Sequence, residues 1–390
     1  MNKTTKENYF LSQAHQPFFL LGTINAIVMM LIFALSYKGI LTLTIDLKTF
    51  HVYSFVFLLF TNMFTGFLFT TFPRFNQTAS INKEYYVNLF YLTALSSILF
   101  LVGSFFSLWI VVLGMLLNFI SQFFVVYKLY TIYQVGKNPD KSDSFWILNA
   151  SYIGLFANFL FILTLYFPSI LPSVVNISFY LYLVFLAFSV GQRMIPFFSH
   201  SFAPKNPNFV KIIFTLFLLK VLFTSIEIKS VEIIIDLVLS VYMFLEFKRW
   251  ELKPLKAPPI LWVLQLALFW LPTAFLLSAF SLLGEIFLET SFYFLNVHLL
   301  AIGFLTTVLI GFGTRVTLGH AGQTPNGDKF ATTIFIFVQV VVLGRALLSF
   351  NMAFGWGLEF LFDISFSLWL ILFIVWGARY GKLLITRAKI

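Results

Sequence analysis

Five histidines carry most of the metal-binding capacity of this 390-residue sequence: His15, His51, His200, His298 and His320. There is no cysteine, which excludes disulfides, thiolate-ligated haem and cysteine-held iron-sulfur clusters. Any metal must use histidine, methionine, tyrosine or carboxylates. The polar residues gather most clearly in 296–323, NVHLLAIGFLTTVLIGFGTRVTLGHAGQ. It opens near His298, runs through an apolar stretch with Gly303, Gly311 and Gly313, and closes with Arg315 and His320. A fainter copy starts at His51, HVYSFVFLLFTNMFTGF, so that each histidine is followed at 15 or 13 residues by Gly-Phe.

The elements that must position these groups are membrane helices. The chain is 60% hydrophobic and 10% charged, whereas a water-soluble domain carries roughly 25% charge. A span needs about 20 mostly apolar residues, and that rule gives an all-α, polytopic integral membrane protein forming a single transmembrane domain. About twelve spans are expected, near 18–37, 51–72, 88–106, 108–130, 145–166, 177–195, 209–226, 231–247, 259–280, 292–313, 331–350 and 358–376. The N-terminus lacks a short apolar core with a small-residue cleavage site, so the first span is expected to be retained.

Basic residues set the expected orientation. Of 25 lysines and arginines, only Lys38, Lys48, Lys220, Lys229 and Arg345 fall on one side if the spans alternate. The opposite side, which includes Lys3, Lys6 and Lys389, is therefore cytoplasmic together with both termini. This placement accounts for the net charge of +10 without nucleic acid. His51 and His298 then belong to the outer side, and His15, His200 and His320 to the inner. From His298 to Arg315 a helix rises about 26 Å, so the two ends of one span cannot serve one metal.

Two neutral imidazoles from separate helices suit a six-coordinate haem in a water-excluding bundle. Each would need a partner for its second nitrogen, and Tyr53, Ser54, Asn296 and Thr306 are nearby candidates. Gly66, Gly303 and Gly311 could admit a flat macrocycle or serve small-residue packing between helices. Depth is ambiguous. Counted from the span edges, His298 lies about seven residues, or roughly 10 Å, deeper than His51; aligned on Gly66 and Gly311 the difference is about two residues. The inner set, His15, His200 and His320, could hold copper or zinc if three separate segments converge. Lys220 with Asp236, and Arg345 with Asp363, flank two turns at matching depths and are expected to pair across their hairpins. Arg345 is alternatively a partner for a cofactor carboxylate. No Walker sequence, HExxH or GxSxG is present, and no catalytic residue is identified. A transporter of a metal, haem or small anion is the alternative class.

The segments HQPFFLLG (15–22), HVYSFVFLLFTNMFTGFLFTTFPRF (51–75), GQRMIPFF (191–198) and HLLAIGFLTTVLIGFGTRVTLGHAGQ (298–323) resemble the NnrS family along the whole chain, with TRVTLGHAGQ the most specific block. That resemblance implies a bacterial inner-membrane protein with b-type haem and copper, tied to nitric oxide metabolism and nitrosative stress resistance. Its small ligand would be nitric oxide or a relative, and the residues matched are His15, Arg193, Arg315 and His320. One departure stands out: where the family commonly has His-x-His at the opening of the second span, this chain reads His51-Val52-Tyr53. The second and tenth spans are also similar to the heme-copper oxidase superfamily, whose low-spin haem is held by histidines of that pair of helices. The chain lacks the His-His dipeptide and His-Pro-Glu-Val-Tyr-like segment of an oxygen-reducing centre.

Overall fold

A computed structural model describes residues 9–387; Lys3, Lys6 and Lys389 lie outside them. The described residues contain no strand. Ten helices are long and apolar enough to cross a membrane: α1 His15–Tyr37, α2 Leu47–Phe75, α3 Lys83–Phe106, α4 Leu108–Val135, α5 Ser142–Thr164, α6 Pro168–Phe198, then Pro259–Phe287, Leu295–His320, Lys329–Phe354 and Phe360–Thr386. The last four are α9 to α12, because a hairpin of α7 (Phe209–Ser225) and α8 (Lys229–Arg249) precedes them. α7, with 17 residues, is short, and α8 carries Lys229, Glu232, Asp236, Glu246, Lys248 and Arg249. Both nevertheless turn an apolar face outward through Leu222, Ile234 and Val241, as the ten do.

The helices bearing the outer histidines are the most enclosed. In α2, 89% of the apolar window is buried, and in α10 78%, against 33–61% for the other eight. In a membrane bundle the outer helices give half their surface to lipid, so the two enclosed ones form the axis. α1 and α12 close over them, with Trp369 Nε1 donating to the Ala26 carbonyl at 3.0 Å and Trp376 Nε1 to Thr314 Oγ1 at 3.0 Å. α1 comes close to α2 because Gly66 has no side chain: a Cβ there would meet Phe18 Cβ at 3.0 Å and His15 Cα at 3.1 Å.

The start of each axial helix settles the depth ambiguity. α2 begins four residues before His51, capped by Asp46, whose carboxylate accepts from the Thr49 amide at 2.8 Å. α10 begins only three residues before His298, because Phe294 takes a left-handed conformation (φ 58°) that stops regular helix on its N-terminal side. Both histidines thus sit one turn inside, and the count based on a span edge at Phe292 placed His298 too deep.

Of the two expected ion pairs, one forms. Lys220 Nζ lies 2.8 Å from Asp236 Oδ1 with both side chains buried. Arg345 does not reach Asp363. The guanidinium turns inward to Ser349 Oγ at 2.6 Å and the Tyr293 carbonyl at 3.3 Å, while Asp363, half-exposed in the first turn of α12, pairs with Lys38 at the end of α1. Matching depth in a hairpin fixes height but not which face of each helix a side chain leaves from, and that face decides the partner.

Two histidine pairs at opposite ends of the bundle

At the His51 end, the ring planes of His51 and His298 lie within 20° of parallel, with 6.4 Å between centres. That is too wide for ring stacking, and it matches two imidazoles that share one metal. Sides near 1.33 Å put a ring nitrogen about 1.1 Å from the centre of a five-membered ring, and a metal–imidazole bond takes about 2.0–2.1 Å. Opposed rings on one metal are therefore roughly 6.3 Å apart. The nitrogens are free for this use. His298 Nδ1 is 2.9 Å from the Phe294 carbonyl, which fixes it as donor and leaves Nε2 with its lone pair. His51 Nδ1 is buried with no hydrogen-bond partner, a condition rarely left standing unless a ligand completes it. Phe33 and Phe55 pack on the His51 ring, with centres at 4.3 and 4.5 Å.

None of the four expected second partners serves these rings. Tyr53 donates to Asn158 Oδ1 at 3.2 Å, Ser54 to the His51 carbonyl, Asn296 to Ser278 Oγ, and Thr306 to the Ala301 carbonyl. The orienting group is the Phe294 backbone carbonyl at the start of α10, which accepts both the His298 backbone N–H at 3.1 Å and its ring Nδ1. Tyr53, two residues beyond His51, points to the opposite side of α2 and joins a buried network of Asn158, Asn118 and Gln122. The departure from His-x-His therefore leaves the His51–His298 pair untouched. Nor do the glycines line a slot: added Cβ atoms would strike Trp270 Cδ2 at 2.7 Å from Gly303 and Leu264 Cδ2 at 2.7 Å from Gly311. They are packing glycines.

Arg345 stands within electrostatic reach of both rings. Among the described residues no carboxylate forms an ion pair with it, and its bonds go to Ser349 and the Tyr293 carbonyl. By holding Tyr293 it also fixes the turn whose next carbonyl orients His298.

Wide helical turns follow both histidines. Residues Ser54–Phe60 and Leu299–Thr306 are π-helical, and threonines bridge the widened turns: Thr61 Oγ1 to the Val56 carbonyl at 2.7 Å, Thr306 to Ala301 at 2.8 Å and Thr307 to Ile302 at 3.1 Å. Asn25 and Asn62 donate to the Leu58 carbonyl at 2.7 and 2.6 Å, satisfying an acceptor inside the first of these turns. Such turns cluster at functional sites. The sequence carries a signal for them that hydropathy does not read, namely threonine eight to ten residues after each histidine.

At the opposite end, α1 starts with His15 and α10 ends with His320, and their ring centres are 4.6 Å apart. At this separation the two rings are close enough that both could contribute to holding one small metal ion. His15 Nδ1 is buried without a partner, and Arg74 lies within electrostatic reach of both rings. His200 does not join them. It is exposed beyond the end of α6 in a left-handed conformation (φ 52°), and no group of three or more His, Asp or Glu side chains among the described residues could hold a metal ion. Of the three expected inner histidines, two are brought together, because the turn that ends α6 carries His200 outward. Arg315 and Arg193 lie over the Phe198 and Phe75 rings at 4.1 and 4.3 Å, and Arg193 also bonds to Asp143 at 3.0 Å.

No curated protein matches the chain. The model of the family described as NnrS protein matches residues 9–387, and the chain, a multi-pass helical protein with paired histidines at both ends of its axis, belongs to the NnrS family.

Proposed function

We propose that this NnrS protein, linked through its family to nitric oxide, is a haem and copper protein of the bacterial inner membrane. Its haem would be held by His51 and His298, with Arg345 as counter-charge for a haem carboxylate. The observation that carries this reading is the 6.4 Å, near-parallel approach of two rings, each with a nitrogen unspent or a tautomer fixed by a carbonyl. Held by both His51 and His298, such a haem would supply one-electron transfer in preference to binding of a gas. Copper would sit between His15 and His320, whose closer spacing suits neighbouring positions on a small ion. The remaining positions there would be filled by water or by an exogenous ligand such as nitric oxide. Twelve spans with both termini cytoplasmic put the haem on the outer side and copper on the inner, in keeping with Lys38, Lys48 and Lys229 at one end and Arg74, Arg249, Arg315 and Arg379 at the other.

Purified protein tests this directly. A pyridine haemochrome of b type and a low-spin visible spectrum are expected, with His51→Ala and His298→Ala each abolishing or converting that spectrum. His15→Ala and His320→Ala should remove copper by elemental analysis and leave the spectrum alone, and His200→Ala should change neither. A colourless protein from haem-replete cells, or an unchanged spectrum in both outer variants, overturns the haem assignment and leaves a transporter as the better reading.

A further inference from the structure

The α7–α8 hairpin buries three charged side chains at the His51 end. Lys220 Nζ lies 2.8 Å and 2.9 Å from the two oxygens of Asp236, and 3.8 Å from Glu232 Oε2. The three side chains are 1%, 0% and 7% exposed. Around them stand Tyr180 of α6, whose ring centre is 5.4 Å from the ammonium, Thr224, which donates to Glu232 Oε2 at 2.7 Å, and Glu285 of α9, a further negative charge near Glu232. Glu285 is itself tied at the rim to Lys229, at 3.1 Å.

One buried ammonium thus faces two buried carboxylates. A charge in such a place is retained only when paired, and a carboxylate left over takes a proton instead. Asp236, with two short contacts, is the counter-ion; Glu232, more distant and pressed by Glu285, is the surplus. We propose that Glu232 is a proton-binding site, loaded at neutral pH, that trades its proton with Asp236 across the shared Lys220 ammonium and opens to the rim beside Glu285 and Lys229. Passing the proton from Glu232 to Asp236 moves the counter-ion role the other way, so the total charge of the triad is unchanged. The inference stands on the charge count and does not depend on a metal at the histidines.

Infrared spectroscopy of the full chain in phosphatidylcholine nanodiscs, in light and heavy water at pH 7, reads the proton itself. Wild type should show a deuterium-sensitive carboxylic-acid C=O band, since the other buried carboxylates, Asp143 and Glu246, are paired with arginine and contribute none. Glu232→Gln should lose the band. Asp236→Asn should lose it as well, because Glu232 then becomes the counter-ion of Lys220. Lys220→Met should roughly double it. If Lys220→Met does not fold, the two isosteric carboxylate variants decide. A wild type without the band, or a band that survives Glu232→Gln, overturns the proposal and reduces the cluster to an ion-pair staple.

Discussion

Gly303→Ala is a demanding test of whether the axis sets the outer histidine spacing. Gly303 lies five residues inside His298, within the widened turn. A Cβ there would sit 2.7, 2.8 and 3.1 Å from Trp270 Cδ2, Cγ and Cε3. Ordinary contact begins near 3.4 Å, so the indole or α10 must yield by about 0.7 Å. The indole is not free to do so, since its Nε1 donates to Gln339 Oε1 at 2.7 Å, and Gln339 Nε2 reaches Thr307 Oγ1 at 3.4 Å. Overpacking of this kind costs about 1–3 kcal/mol and loss of the indole hydrogen bond about 1 kcal/mol, offset by about 1 kcal/mol of alanine helix propensity. The net expectation is about 1–3 kcal/mol of destabilisation. Gly319→Ala, on the same helix with nothing within 4 Å of the added Cβ, is the matched control and should be neutral or slightly stabilising. Unfolding of both variants in one detergent, followed by tryptophan fluorescence, gives the comparison, and the visible spectrum of the same samples reports the outer pair. If Gly303→Ala is as stable as Gly319→Ala, α10 does not press on Trp270 at this position, and the reading of Gly303 as a packing glycine fails.

Lys220→Met should cost about 3–5 kcal/mol by stranding Asp236, whereas Lys38→Met, which removes a half-exposed pair with Asp363, should cost at most about 1 kcal/mol; chemical unfolding of the two separates them. Arg345→Gln should loosen the Tyr293–Phe294 turn and broaden the low-spin spectrum without lowering copper content; loss of copper instead would show that the two ends are not independent. Asp140 lies in the α4–α5 connection, outside the spans. Hydrogen bonds from Ser142 and then Lys205 hold its carboxyl below the usual range. A depressed carboxylate contributes stability above its ordinary value near 3.9 and loses it only as pH falls further, through the folded value. Amide protection factors in the Lys205 loop, corrected for the intrinsic pH dependence of exchange, should thus be flat from pH 8 to 5 and fall only in stronger acid; a fall between pH 7 and 6 would contradict this.

Much of the architecture was legible because the bilayer imposes a blunt rule. The all-helical, multi-span architecture follows from apolar runs, with ten helices long and apolar enough to cross a membrane among the described residues, and the Lys220–Asp236 pair follows from depth alone. What hydropathy could not see was facing and local pitch. Arg345 and Asp363 share a depth and point apart. His298 looked deeper than His51 because apolar residues from Phe292 extend the pattern past the helix start, and only the left-handed Phe294 shows where α10 begins. Among the candidate ligands, the meeting of His15 with His320 across 304 intervening positions needed tertiary packing, since the sequence offers no close spacing to suggest it. The faint echo between the two axial helices proved the more informative clue, for in both the histidine precedes a π turn that ends at threonine.

The two pairs share α10 but cannot share chemistry directly. From His298 to His320 the helix rises about 33 Å. Near its middle lies a small cavity whose lining, including Phe19, Met63, Phe67, Val190, Val308 and Phe312, is wholly apolar, and a cavity of that kind holds no ordered water. This cavity thus offers no hydrated path along α10, and the distance favours exchange of each pair with its own side of the bundle. The buried carboxylates of α8 serve only the His51 end, and the exposed edge of His320 only the other. It follows that metal at each end should load independently: His51→Ala should retain copper at its wild-type stoichiometry, and His15→Ala should retain haem. Joint loss of both metals in either variant, with the helical content by circular dichroism unchanged, would mean that α10 transmits occupancy from one end to the other, against the separation argued here.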